Sequence, residues 1–166
     1  MSMSATQPIP LQNARITGGF WKQRIDTNRE VTLPLQYRNC KDTGRLDAFT
    51  WEDGQPNRPH HFWDSDCAKW VEAAAYSLVH TPDPELEAKV DAYAQLLAES
   101  QCADGYLNSF YQRVQPSKRW TNLRDMHELY CAGHLMEGAV AYYEATGKRT
   151  LLDALSKYAD HIDRMF

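Results

Sequence analysis

The chain has 166 residues, 43% of them hydrophobic and 24% charged, which suits one soluble globular domain with a sizeable core. Its net charge is -4 and its pI is near 5.8, and no basic block occurs; this excludes a nucleic-acid or anionic-membrane surface, since both need clustered Lys and Arg. No stretch approaches the ~18 uninterrupted apolar residues of a membrane span, and the first residues lack the charged start and apolar run of a signal peptide.

Residues 1–19 read as an irregular arm, because Pro8, Pro10, Gly18 and Gly19 break any period. A helix is predicted from Trp21 to Asn39, with Pro34 ending or kinking it near Leu33. The segment Lys41 to Phe62 holds Gly44, Gly54, Pro56 and Pro59 and reads as a long loop, a kind of segment that is usually functional or disordered. From Asp64 to Val79, apolar residues at Cys67, Trp70, Val71, Ala74 and Leu78 mark one face of a helix that Asp64 or Ser65 can cap. Asp83-Pro84-Glu85 starts the next helix, whose buried stripe is Leu86, Val90, Tyr93 and Leu97. After a loop from Cys102 to Asp125, a second hairpin pairs a helix over Met126 to Ala145 with one starting near Thr150; Gly147 stands where a left-handed terminus wants glycine. The fold class is therefore all-α, built from antiparallel helical hairpins spaced about 63 residues apart, from Asp64 to His127. Residues 20–166 are read as part of a toroid of such pairs.

Three clusters can carry chemistry. His127, Cys131 and His134 share one helix face, continued by the small residues Gly138, Ala141 and Ala145, with Glu137 at its edge. They could bind zinc, His127 could hydrogen-bond a sugar hydroxyl, or a buried cysteine could simply lie between satisfied histidines. Phe62-Trp63-Asp64-Ser65-Asp66 sets aromatic rings beside carboxylates, which suits a sugar ring with an apolar face and hydroxyls, while a helix cap is an equally physical reading. Asp104-Gly105 is a tight-turn signal that would present Tyr106 and Asn108. Four cysteines, Cys40, Cys67, Cys102 and Cys131, form no CxxC pair; in a chain that is not cysteine-dense they read as reduced thiols of a cytoplasmic protein.

Taken in order, several of these segments look like successive signatures of one family. They are Phe20-Trp21-Lys22, Asp64-Ser65-Asp66 with Lys69-Trp70-Val71-Glu72, Pro82-Asp83-Pro84-Glu85-Leu86, and Gln101 with Asp104-Gly105-Tyr106-Leu107. His127-Glu128-Leu129-Tyr130 with Gly133-His134 and Glu137, and then Thr146-Gly147-Lys148, complete the series. The ordered set resembles glycoside hydrolase family 127, the β-L-arabinofuranosidases, from about Phe20 to Phe166. The resemblance implies an (α/α)6 toroid, a carbohydrate substrate with β-linked L-arabinofuranose, and a zinc-bound cysteine nucleophile with a glutamate acid/base. It places a substrate-contacting histidine at His127, with Asp64 and Asp66 as further candidate hydroxyl acceptors. The family's nucleophile, zinc ligands and catalytic glutamates fall beyond the matched segment, so no catalytic residue and no metal ligand is assigned here. The expectation is an N-terminal segment of a glycoside hydrolase; the alternative is a non-catalytic helical fragment that binds sugar or assembles with a partner chain. Part of a toroid would leave helix faces exposed, which favours self-association.

Overall fold

The computed structural model describes residues 9–166, and all regular structure among them is helical. The first eight residues of the expected arm lie outside the described residues; the next ten hold one short 3-10 turn, Leu11–Asn13. Helix α1 (Gly19–Thr27) continues through a π-helical turn, Asn28–Thr32, into α2 (Leu33–Asp42). The kink expected at Pro34 takes this form. The Leu33 N–H reaches back five residues to the Asn28 carbonyl, which widens the helix just before a proline ring that would otherwise press on the carbonyl of Glu30.

The two hairpins follow. The first joins α3 (Trp63–His80) to α4 (Pro84–Ser100), and Asp83 caps α4 by accepting from the Leu86 N–H at 3.0 Å. The second joins α6 (Glu128–Thr146) to α7 (Thr150–Met165), with Gly147 left-handed at φ 75° and its N–H on the Tyr143 carbonyl at 2.7 Å. Between the hairpins, where only a loop was expected, stands a five-residue helix α5 (Ser109–Arg113).

Helix α3 packs along α6, and α4 along α7, so the hairpins sit side by side in two layers. His61 lies level with Cys131 and Ala68 with Gly138. Both pairs are offset equally in sequence, so α3 and α6 run parallel. Gly138 permits the close approach, because a Cβ there would lie 3.1 Å from the Ala68 carbonyl oxygen. Helix α2 is tied to α3 by the Trp70 indole, which donates to the Leu33 carbonyl at 3.1 Å. One apolar core runs through these elements, from Leu33 through Val71, Val90, Leu135 and Leu155 to Tyr158.

The segment after α2 is ordered rather than loose. Leu46, Ala48, Phe49 and Trp51 are buried, and Arg113 of α5 donates to the Phe49 carbonyl. Apolar side chains remain exposed on α1, at Phe20, Trp21 and Ile25, and on the α3–α6 face, at Tyr76, Val140 and Tyr143. No helix among the described residues is long and apolar enough to cross a membrane.

Candidate functional site

The parallel run of α3 and α6 brings both N-terminal ends to one rim. There the His61 and His127 rings stand 5.1 Å apart, with His60 4.0 Å from His61 and Phe62 4.4 Å from His60. Tyr130, in the first turn of α6, lies 5.4 Å from His127 and accepts a hydrogen bond from the Lys69 ammonium at 2.6 Å. Three imidazoles and two exposed aromatic faces thus share one surface, with the donor, acceptor and apolar character that a sugar ring requires.

His127 itself precedes α6 rather than standing on it. Its backbone is left-handed, φ 59° and ψ 18°, which costs a side-chain-bearing residue about 1–2 kcal/mol and is found where function demands a special orientation. Its Nδ1 donates to the Asp125 carbonyl at 2.9 Å, which leaves Nε2 free on the exposed side to accept from a hydroxyl. Burial, helped by the neighbouring His60 and His127 rings, holds His61 below its ordinary pKa, so this ring stays neutral beside His127.

The other sequence candidates go different ways. Asp64 and Asp66 are two residues apart on α3, about 200° around the helix, and so face opposite sides. The expectation that Asp64 meets a sugar hydroxyl is corrected: it is 3% exposed, and its oxygens accept from the Ser109 N–H at 2.8 Å and the Ser109 hydroxyl at 2.5 Å. It does not cap its own helix either. It satisfies the first N–H of α5, while Asn108 accepts from the Tyr111 N–H at 3.1 Å. Burial raises the Asp64 carboxyl to about 6, against the two Ser109 bonds that favour its ionised form.

Asp66 is half-buried and pairs with Arg45 at 2.8 Å, and the Arg45 guanidinium lies over the Trp63 ring. Arg45 and Asp66 line a cavity of about 600 Å³ between α2 and α3, which Gln36, Asn39 and Lys69 also border. Tyr106 and Asn108, expected on the surface of a turn, are fully buried. The Tyr106 hydroxyl donates to Glu128 at 2.5 Å, and the second Glu128 oxygen accepts from the Trp120 N–H at 2.8 Å. Glu128 is thereby the buried post to which the loop before α6 is tied; burial pushes its carboxyl upward, and these two bonds oppose the push.

The zinc reading of His127, Cys131 and His134 does not fit this geometry. Cys131 is buried, its thiol pushed up chiefly by that burial, and it donates to the His61 carbonyl at 3.5 Å. His134 turns to Glu137 at 2.9 Å. Among the described residues no three His, Cys, Asp or Glu side chains gather closely enough to hold a metal ion.

Sequence reasoning missed His60, His61 and Tyr130. The signal for the first two was local, as they directly precede the Phe62-Trp63 aromatic cluster. Their meeting with His127 depends on the parallel pairing of α3 with α6, which no periodicity shows.

Residues 13–166 match the family profile described as the beta-L-arabinofuranosidase, GH127 catalytic domain. The non-reducing end beta-L-arabinofuranosidase of Bifidobacterium longum subsp. longum is 34% identical over 182 aligned residues, spanning 93% of this chain and 27% of that protein. Among solved structures, a GH127 beta-L-arabinofuranosidase from Geobacillus stearothermophilus T6 is 46% identical with a TM-score of 0.85, covering 92% of this chain and 26% of that one. A second GH127 beta-arabinofuranosidase superposes with a TM-score of 0.86 at 38% identity, over 95% of this chain and 27% of its own. The chain thus spans about a quarter of the length of these relatives. Its ordered motifs, its paired hairpins and these matches agree, and the chain belongs to glycoside hydrolase family 127.

Proposed function

We propose that this chain forms part of the substrate-binding wall of a β-L-arabinofuranosidase catalytic domain, with His127 and His61 contacting the sugar at the rim of α3 and α6. The observation that carries this is the strained, left-handed His127, which leaves Nε2 open beside a neutral His61 and the exposed Phe62. Asp66 and the cavity it lines are the proposed continuation of the same surface. The nucleophile, the acid/base and zinc would be supplied by chain outside these 166 residues; the thiols and histidines present do not fit a zinc site, and no step is assigned to them. Unpaired thiols at Cys40, Cys67, Cys102 and Cys131 support a reducing, cytoplasmic setting.

Titration with methyl β-L-arabinofuranoside, followed by NMR of the histidine ring protons, tests the reading. The His61 and His127 signals are expected to shift together, and His127→Ala is expected to weaken binding about tenfold, the worth of one hydrogen bond and part of a ring contact. His127→Gly separates binding from folding: glycine relieves the left-handed strain, so affinity falls while thermal stability holds or rises. Saturable shifts confined to other residues would defeat the assignment. The exposed apolar face of α1, formed by Phe20, Trp21 and Ile25, supports self-association; light scattering is expected to show a mass above 19.1 kDa that rises with concentration.

A further inference from the structure

Asp66, Lys69 and Ala73 recur at helical spacing on α3 and form one wall of the cavity of about 600 Å³ between α2 and α3. The facing wall carries Asn28, Thr32, Gln36, Asn39 and Thr43, which recur every three or four residues from the π turn to the end of α2. The buried side chains of Leu33 and Trp70 give it an apolar floor. Its volume lies within the range of about 300–1,000 Å³ usual for small-molecule sites.

The charges along this cavity do not cancel. Arg45 and Lys69 border it against a single carboxylate, Asp66. Asp66 accepts from Arg45 Nε at 2.8 Å, so the two terminal nitrogens of the guanidinium keep their donors, while its face rests on the Trp63 ring. Lys69 forms no ion pair among the described residues, and its ammonium gives one of its three N–H donors to the Tyr130 hydroxyl. The next carboxylate along α3, Glu72, borders the separate cavity that Tyr76 and Met136 line. In a chain of net charge -4, this cavity thus carries one positive charge in excess. Lys69 also joins it to the rim, since the Tyr130 ring to which it bonds stands 5.4 Å from His127.

We infer that the α2–α3 cavity binds a carboxylate-bearing sugar, a uronate unit next to the sugar that His127 contacts, with Lys69 and the terminal nitrogens of Arg45 as its carboxylate donors. The inference rests on the reading of the α3–α6 rim as a sugar-binding wall and adds the acidic neighbour. The guanidinium offers two parallel N–H groups that match both carboxylate oxygens, and the ammonium adds a point charge. The amides and hydroxyls of α2 supply the donors and acceptors that ring hydroxyls need, and Trp70 with Leu33 meets the apolar face of the ring. A neutral sugar would use the amides and the floor but leave the surplus charge unanswered. A bare carboxylate would answer the charge and leave the amides and the floor without partners.

The 166-residue chain is titrated with sodium D-galacturonate, with D-galactose, which has a hydroxymethyl group in place of the carboxylate, and with sodium acetate, each followed by amide NMR. Galacturonate is expected to shift the Gln36, Asn39 and Lys69 signals saturably. It is expected to bind about tenfold more tightly than galactose, the worth of one charge-assisted hydrogen bond in partial contact with water. Raising the salt concentration from about 0.05 M to about 0.5 M is expected to shrink this preference, because exposed charges are screened. Lys69→Met keeps an apolar stem of similar length and is expected to reduce the preference to about threefold or less, with galactose binding as before. Equal binding of galacturonate and galactose to the parent chain would overturn the inference, as would acetate shifting the same signals as tightly as galacturonate. A parallel titration with methyl β-L-arabinofuranoside reports on His61 and His127. Shifts there without a galacturonate preference in the cavity defeat this inference alone. A galacturonate preference without those shifts defeats the reading of the rim, while the charge selectivity of the cavity stands.

Discussion

Gly105→Ala is expected to lower the thermal midpoint by roughly 5–15 °C, read by circular dichroism or calorimetry. Two separate costs meet at this residue. Its φ is 89°, a conformation that disfavours any side chain by about 1–2 kcal/mol. A methyl group there would also lie 2.5 Å from the Lys157 carbonyl oxygen of α7. That oxygen is helix backbone and cannot swing aside, so overpacking adds about 1–3 kcal/mol. The turn is held from several directions, since the Gly105 N–H bonds the Cys102 carbonyl and the Gln101 amide bridges the carbonyls of Gly105 and Ala154. Gly54→Ala separates the two costs: Gly54 has φ 87°, but a Cβ there would meet nothing within 4 Å, so only the conformational part is expected. Equal losses in the two variants would show that the contact with α7 contributes nothing.

The second large effect concerns pH. Asp64 titrates near 6 when folded against an ordinary value of 3.8. The folded chain keeps a proton that the unfolded chain has released between those two values. This contribution to stability is therefore fully present below about pH 4 and is lost as pH rises through about 6, for a total of about 3 kcal/mol. Asp64→Asn preserves an oxygen for the Ser109 N–H and offers an amide N–H to the Ser109 hydroxyl, but it cannot ionise. It is expected to gain about 1–3 kcal/mol over the parent at pH 7 and to lose that gain near pH 4. Denaturant melts of both proteins at each pH isolate the effect, because every other carboxylate is shared. Parallel pH profiles would refute it. Asp64→Ala, which leaves the Ser109 N–H buried without an acceptor, is expected to be less stable than Asp64→Asn by about 1–3 kcal/mol at both pH values, since neither variant ionises there.

Asp64 also shows where legibility in the sequence stops. Its position before an apolar helix stripe reads equally as a cap or as a hydroxyl acceptor, yet its partner is Ser109, 45 residues away. The hairpins were legible because their buried stripes repeat at the helical period and their ends carry strong local signals: Asp83 with Pro84, and Gly147. Helix α5 was not, because five residues give no period and its start depends on Asn108 together with a carboxylate from another helix. At the candidate site, His127 was legible from its motif. Its left-handed backbone and its neighbour His61 were not, since both follow from how α6 docks on α3. The Phe20–Ile25 face was visible only as scattered apolar letters until the fold left it bare.

The π turn at Asn28–Thr32 makes α1 and α2 two rotational frames of a single rod. Each residue of an α-helix advances about 100° around the axis, and the wide turn absorbs one residue without completing an ordinary step. Rewinding this turn to ordinary α-helix at unchanged length would bring the rod back into a single frame and turn all of α1 by about that angle relative to α2. Phe20, Trp21 and Ile25 would then point in a new direction while Leu33 and Cys40 kept theirs. Removing one residue between Asn28 and Thr32 would instead straighten the rod and leave α1 facing as it does now. A switch of this one turn between π and α hydrogen bonding thus acts as an indexing step, selecting which surface α1 shows without altering any side chain upon it.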